Sequence, residues 1–202
     1  MTREEILRQC CKCKGNRENK NTCKPIHMYF INVTVDDCKF LSTIDSCNLI
    51  LYKNNIGSEG IKYISKNKKL RSLHIYNNDI GDVGAKYLSE NNKLRTLYLN
   101  HTNITNIGAK YLSENKTLYT LYLCINNISD TGTKYLSENK TLHTLYLYNN
   151  NISDNGFKYL SNNKTLHTLN LSDNNIGVNG AKYLSGNNTL HTIKLNANNI
   201  SD

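Results

Sequence analysis

The sequence has one proline, no tryptophan and no long apolar run, and each shortage excludes something. A single proline leaves no Pro-rich linker between domains. No stretch approaches the roughly 18 apolar residues that a bilayer-crossing helix needs. The opening MTREEILRQCCKCKGNRENKN lacks the apolar centre of a secretory signal. Seven cysteines is an odd number, and a cytosolic chain keeps its thiols reduced, so no disulfide framework is expected. The N-x-[ST] triplets, such as Asn127-Ile128-Ser129 and Asn139-Lys140-Thr141, are then consequences of phrasing and not glycosylation sites. Hydrophobic residues make up only 38% of the chain, and mean hydropathy is -0.57. That is little apolar material for a round globule of 202 residues, and it points to a thin, elongated core.

What is present is a repeat. Leu70, Leu94, Leu118, Leu142, Leu166 and Leu190 keep one spacing, 94 − 70 = 24, throughout. Three places on stand Leu49, Leu73, Leu97, Leu121, Leu145, Leu169 and Ile193, and two further Leu51, Ile75, Leu99, Leu123, Leu147, Leu171 and Leu195. Asn54, Asn78, Thr102, Asn126, Asn150, Asn174 and Asn198 form another column, followed by an invariant Ile and a G-x-K-Y-[LI]-S-x-N. The phrase reads LxxLxLxxNxIxxxGxKYLSxNxx.

The alternation in LxL makes one face of a short strand apolar. The Asn column can satisfy backbone groups in the turn that follows, where no ladder bond is available. Ser129 or Asp130 offers an N-cap to a short helix. Glycine costs helix stability, so its return at Gly132 and equivalents implies close approach of helix to sheet. Asn139 falls where the helix must end.

A 24-residue period with LxxLxLxxN is the leucine-rich repeat signature. In spacing and wording the array resembles ribonuclease-inhibitor-like leucine-rich repeats. Gly84-Ala85-Lys86-Tyr87-Leu88, Gly108 to Leu112 and Gly180 to Leu184 look like the shorter GALA-type variant. The resemblance implies an α/β solenoid, a horseshoe with parallel strands on the concave side and short helices on the convex side. It also implies a binding scaffold whose partner differs from one protein to the next. The abundance of Asn, Lys, Ile and Tyr is what an AT-rich genome encodes, and it is similar to repeat proteins of giant DNA viruses of amoebae. A protein of that origin would work in the host cytoplasm. GALA-type effectors often carry an F-box and act as ubiquitin-ligase substrate adaptors; residues ahead of the repeats show no Leu-Pro pattern with an apolar helix.

Three segments are expected. Residues 1–25 are a Cys/Lys-rich segment. Residues 26–45 are a degenerate capping repeat, a strand followed by a helix with Asp36 as N-cap. Residues 46–202 hold six full 24-residue repeats and a truncated seventh. Leu190, Ile193, Leu195 and Ile200 then border an open end, either a frayed coil or a surface for end-to-end self-association.

With Leu in the core, the residues between the leucines face the concave side. They include Tyr52, His74, Tyr76, Tyr98, Tyr122, Tyr146 and Tyr148, with Thr120 and Thr144 in the adjoining column. Strands stack about 4.8 Å apart, which would make the tyrosines one contiguous patch. Tyrosine supplies rigid contact area with a hydroxyl, which suits a protein partner; it also simply favours strands. His143, His167 and His191 continue a column begun by Arg71, Arg95 and Tyr119. A metal would need these imidazoles to converge on one ion, which a flat ladder does not offer. Protonating such neighbours adds like-charge repulsion, so mild acid sensitivity is expected.

The net charge is +9. Lys86, Lys110, Lys134 and Lys158 belong to one convex column that could hold a polyanion such as nucleic acid, or be a solvated helix face. Glu90, Glu114 and Glu138, each four residues after a column lysine, should compensate in part. The tyrosines able to stack on bases are expected on the opposite face from these lysines, which argues against single-strand binding.

Cys10, Cys13, Cys23 and His27 have ligand types and end spacings compatible with a structural zinc; the alternative is a basic tail with reduced thiols. No carboxylate pair, nucleophile–base set or phosphate loop rises above the repeat, so no enzyme activity and no other cofactor is expected. A related fold occurs in the Ran-type GTPase-activating protein, but none of its catalytic residues can be matched. The function expected is a non-enzymatic, intracellular protein-interaction scaffold with no membrane association.

Overall fold

The computed structural model describes residues 26–29 and 32–200, with side chains from residue 32 onward. Eight strands form one sheet in chain order: β1 (Ile26–Tyr29), β2 (Asn48–Tyr52), β3 (Ser72–His74), β4 (Thr96–Tyr98), β5 (Thr120–Tyr122), β6 (Thr144–Tyr146), β7 (Thr168–Asn170) and β8 (Thr192–Lys194). Every neighbouring pair is parallel, and from β2 onward equivalent residues face each other, as Leu97 faces Leu121 and Tyr98 faces Tyr122. Between strands run α1 (Val35–Leu41), α2 (Gly57–Ile64), α3 (Gly81–Ser89), α4 (Asn106–Ser113), α5 (Asp130–Glu138), α6 (Asp154–Ser161) and α7 (Val178–Ala181). A 3-10 turn, Lys182–Gly186, extends α7.

Parallel strands require a crossover, and here each crossover is one turn, one short helix and one return loop. Leu49, Leu73, Leu97, Leu121, Leu145 and Leu169 are buried, as are their partners two residues on. Helices close the core from the other side with pairs such as Ala85 and Leu88, Ala109 and Leu112, and Phe157 and Leu160. Leu190, Ile193 and Leu195 are only partly buried beyond β7, and Ile200 is exposed.

Two asparagine ladders tie the coils together. In the turn after the strand, Asn150 Oδ1 accepts from Ile128 N–H at 3.0 Å, and Asn150 Nδ2 donates to the Leu123 and Leu147 carbonyls at 3.0 and 3.1 Å. Asn174 does the same one coil later. Thr102 keeps part of the function with its hydroxyl, which donates to Leu99 O at 2.7 Å. The second ladder lies past the helices. Asn115 Nδ2 donates to the Ser89 and Asn91 carbonyls at 2.8 and 2.9 Å, while its oxygen accepts from Thr117 and Leu118 N–H at 2.8 Å each. Asn91, Asn139 and Asn163 repeat that pattern. Asn139, which falls where the helix ends, also closes the preceding coil.

The first helix departs from expectation. Its N-cap is Thr34, not Asp36, and Thr34 forms a reciprocal capping box with Asp37. The glycines also have a different cause from the one inferred. A Cβ at Gly108 would lie 2.5 Å from Asp82 Oδ1, 2.8 Å from Ile104 Cγ2 and 3.1 Å from Ala85 Cβ. The close approach is therefore to the preceding helix and to the loop isoleucine, not to the sheet. Asp82 is at that spot because it caps the next coil: its Oδ1 accepts from Thr105 and Gly108 N–H at 2.8 and 2.9 Å. Asn106 does this for Ser129 and Gly132, and Asp130 accepts from Ser153 N–H and its hydroxyl. Of Ser129 and Asp130, Ser129 is the N-cap residue of α5, but its side chain makes no capping bond within that helix.

Candidate functional site

The sheet face opposite the helices carries the residues that alternate with the core leucines. The structure stacks most of their rings in three columns. In the central one, His74 stacks on Tyr98 with centroids 3.8 Å apart, Tyr98 on Tyr122 at 4.1 Å, and Tyr122 on Tyr146 at 4.4 Å. Tyr52 and Tyr76 form a second pair at 5.0 Å. A third ladder runs along the strand starts: Tyr119 on His143 at 4.1 Å, then His143 on His167 and His167 on His191 at 5.1 Å each. Tyr148 stands outside these stacks, in a column where Asn100 and Cys124 separate it from Tyr76, and it is exposed. Thr120 and Thr144 face each other across β5 and β6, half-buried beside the central ladder.

Such stacking follows from the register. Parallel strands place identical positions about 4.8 Å apart, near the spacing at which offset rings attract. The planes are within 12° to 16° of parallel along the central ladder. Each ring therefore covers its neighbour's face and leaves its edge and polar tip outward. Burial, with hydrogen bonding to Tyr98, raises the Tyr122 phenol above the ordinary tyrosine range. The Tyr122 hydroxyl consequently stays protonated at neutral pH.

The histidine ladder is fixed by the backbone. His143, His167 and His191 Nδ1 lie 3.0, 2.8 and 2.8 Å from the carbonyls of Thr141, Thr165 and Thr189. A carbonyl can only accept, so Nδ1 carries a proton that it donates. Two imidazoles bound to one zinc at about 2.1 Å have nitrogens no more than about 4.2 Å apart. Near-parallel rings with centroids 5.1 Å apart do not meet that requirement. Among the described residues, no group of three His, Cys, Asp or Glu could hold a metal ion. Cys10, Cys13, Cys23 and the His27 side chain lie outside the described residues. Cys38 and Cys124 are free thiols.

Charge on the two faces differs from what the sequence implied. The helices bear a tyrosine column of their own beside the lysines. Lys86 Nζ sits 5.9 Å from the Tyr111 ring centre, Lys110 5.7 Å from Tyr135, and Lys158 5.5 Å from Tyr183. Lysine and tyrosine thus do share a face, contrary to expectation, but each cation covers the ring that a base would need. Lys134, with Tyr135 and Tyr159, lines an open recess of about 490 Å³. No ion pair joins Lys86, Lys110 or Lys134 to Glu90, Glu114 or Glu138; the ion pairs among the described residues are Lys39–Asp36 and Lys62–Glu59.

The comparisons with known proteins fit this geometry. A family model described as Leucine Rich repeat matches residues 66–89, 90–113, 138–161 and 162–185. The fold is a leucine-rich repeat solenoid. Among solved structures, 194 chains match. One is titled Leiomodin-1 Actin-Binding Site 2 (ABS2), 23% identical, with a TM-score of 0.47 over 55% of this chain and 76% of that one. No curated protein sequence matches. Among the described residues, no helix of the solenoid is long and apolar enough to cross a membrane.

Proposed function

We propose that this solenoid is a non-enzymatic scaffold that binds a protein partner on its concave sheet face, through Tyr76, Tyr98, Tyr122, Tyr146 and Tyr148 flanked by Tyr52, His74, Thr120 and Thr144. The observation that carries the reading is the central ladder. Three tyrosines and a histidine sit half-exposed on one flat face, held by each other and by the strands. Their side-chain entropy is already lost, so a partner gains contact area without ordering them. Rigid tyrosine contact is what protein interfaces favour at their centres.

Single-stranded nucleic acid is a poorer fit. Stacking on bases needs free ring faces, and the central-ladder tyrosines and the helix residues Tyr111, Tyr135 and Tyr183 have a ring face covered. A second reading keeps the convex lysines Lys86, Lys110, Lys134 and Lys158 as a contact for a polyanion; it requires affinity that falls steeply with salt. The 24-residue step and the G-A-x-x-L helices support a ribonuclease-inhibitor-like, GALA-type assignment, with a substrate-adaptor role as a further alternative. Composition supports a viral origin and work in the cytoplasm.

The test is capture of partners from cell lysate with wild type and with Tyr122→Ala/Tyr146→Ala. The reading expects a protein recovered by wild type and lost from the variant, whose thermal transition remains cooperative. Equal recovery would assign the tyrosines to packing alone.

A further inference from the structure

The strands of the sheet and the residues at their starts carry cations and no acids. Across the strand windows 47–52, 71–76, 95–100, 119–124, 143–148, 167–172 and 191–196 there is no Asp or Glu. Arg71, Arg95 and Lys194 lie within the same windows, and all are exposed. The two arginines stand on neighbouring strands at the end of the sheet where the central ladder begins. Arg71 Nη1 donates to the carbonyls of Lys68, Lys69 and Leu70, each at 3.1 Å. Arg95 Nη1 donates to Thr117 O at 3.0 Å. These bonds use one nitrogen of each fork and fix the guanidinium over the return-loop carbonyls, at the strand-start edge of the sheet. No carboxylate of the described residues pairs with either.

The aromatic ladders add to this bias. A ring's face is electron-rich and its edge electron-poor. Because stacking hides the faces, the ladder offers partners its positive edges and its phenol hydroxyls. Both attract oxygen acceptors. The fork geometry of Arg suits a carboxylate, which it can grip with two bonds.

We propose that the sheet face receives an acidic, extended segment of a partner protein, its Asp or Glu side chains on Arg71 and Arg95 and its remainder along Tyr98, Tyr122 and Tyr146. The proposal rests on the scaffold reading and specifies the partner's chemistry. Alternate side chains of an extended segment stand about 6.8 Å apart on one face, a step that arginines on adjacent strands can span by side-chain reach. The convex lysines take no part.

A fluorescein-labelled fifteen-residue poly-glutamate tests it by anisotropy at low salt, against wild type, Arg71→Ala/Arg95→Ala and Lys110→Ala/Lys134→Ala. The same titrations with a fifteen-residue oligothymidylate serve as the nucleic-acid arm. Expected are binding of poly-glutamate by wild type, at least tenfold weakening in the arginine variant, and less than twofold change in the lysine variant. Oligothymidylate should bind more weakly and ignore the arginines. Absence of poly-glutamate binding, or equal weakening by the lysine variant, overturns the proposal. So does oligothymidylate binding that is as tight and as arginine-dependent, since the site would then read charge of any kind. If lysate capture still depends on Tyr122 and Tyr146 in those cases, the scaffold reading stands and only the acidic partner is lost.

Discussion

Tyr98 lies face to face on Tyr122, with ring centres 4.1 Å apart and planes 12° from parallel. The pair is the middle of a ladder that runs from His74 to Tyr146. Its regularity comes from a 24-residue step that puts the same position of each coil on adjoining parallel strands. The packing that shapes the coil thus also builds the surface. Stacked aromatic pairs contribute about 0.5–1.5 kcal/mol beyond their buried area, so the ladder also stabilises the sheet.

The Asn115 amide serves two coils at once, and its loss should be costly. Asn115→Ala strands two carbonyls and two N–H groups in a buried loop. An unmet buried polar group costs about 1–3 kcal/mol, so denaturant unfolding should show a loss of at least about 2 kcal/mol. Ala at exposed Asn92, the next residue after a ladder asparagine, should change stability by less than about 0.5 kcal/mol.

Gly132→Ala should reverse the usual rule. An unstrained Gly→Ala change stabilises by about 0.4–1 kcal/mol. Here the new Cβ would lie 2.6 Å from Asn106 Oδ1 and 2.7 Å from Ile128 Cγ2. Overpacking of that kind costs about 1–3 kcal/mol, and thermal unfolding should register it. A rise in Tm would remove the helix-to-helix explanation of the repeat glycine.

Ile125 has a φ of +54°, in a turn column where Asn77 and Asn149 have +59° and +53°. A β-branched side chain is strained in that region by about 1–2 kcal/mol, and Asn tolerates it. Ile125→Asn should therefore raise the unfolding midpoint, read by circular dichroism, despite exchanging an apolar residue for a polar one.

Alkali should weaken the fold. Burial, aided by Asp37, pushes the Cys38 thiol from 9.0 up to about 12. Between those values the folded chain holds a proton that the unfolded chain releases, so stability falls as pH rises through that window. Cys38→Ala should flatten the decline seen by urea unfolding between pH 9 and 10.5. The raised Tyr122 phenol acts in the same direction. At neutral pH a thiol reagent should leave Cys38 unmodified until the protein unfolds.

Much of this architecture was legible from the periodic leucines. LxL fixed which face of each strand is buried, and the spacing fixed the parallel register of Leu97 on Leu121. The columns of Tyr98, Tyr122 and Tyr146 followed. What could not be read was how side chains act between coils. Asp82, an acid in the first turn of its own helix, caps the next one. The G-x-K-Y phrase placed Lys110 and Tyr111 side by side in sequence, while the lysine in fact reaches Tyr135 of the following coil. The signal was present, since any column recurring at the repeat step must meet its own copies.

The most direct test is a calorimetric titration of the purified partner into wild type and into Tyr122→Ala/Tyr146→Ala. The account predicts a Kd weakened at least tenfold, equivalent to about 1.4 kcal/mol or more, with the variant still folded. An unchanged Kd in a folded variant would contradict it, and would move the binding surface away from the sheet.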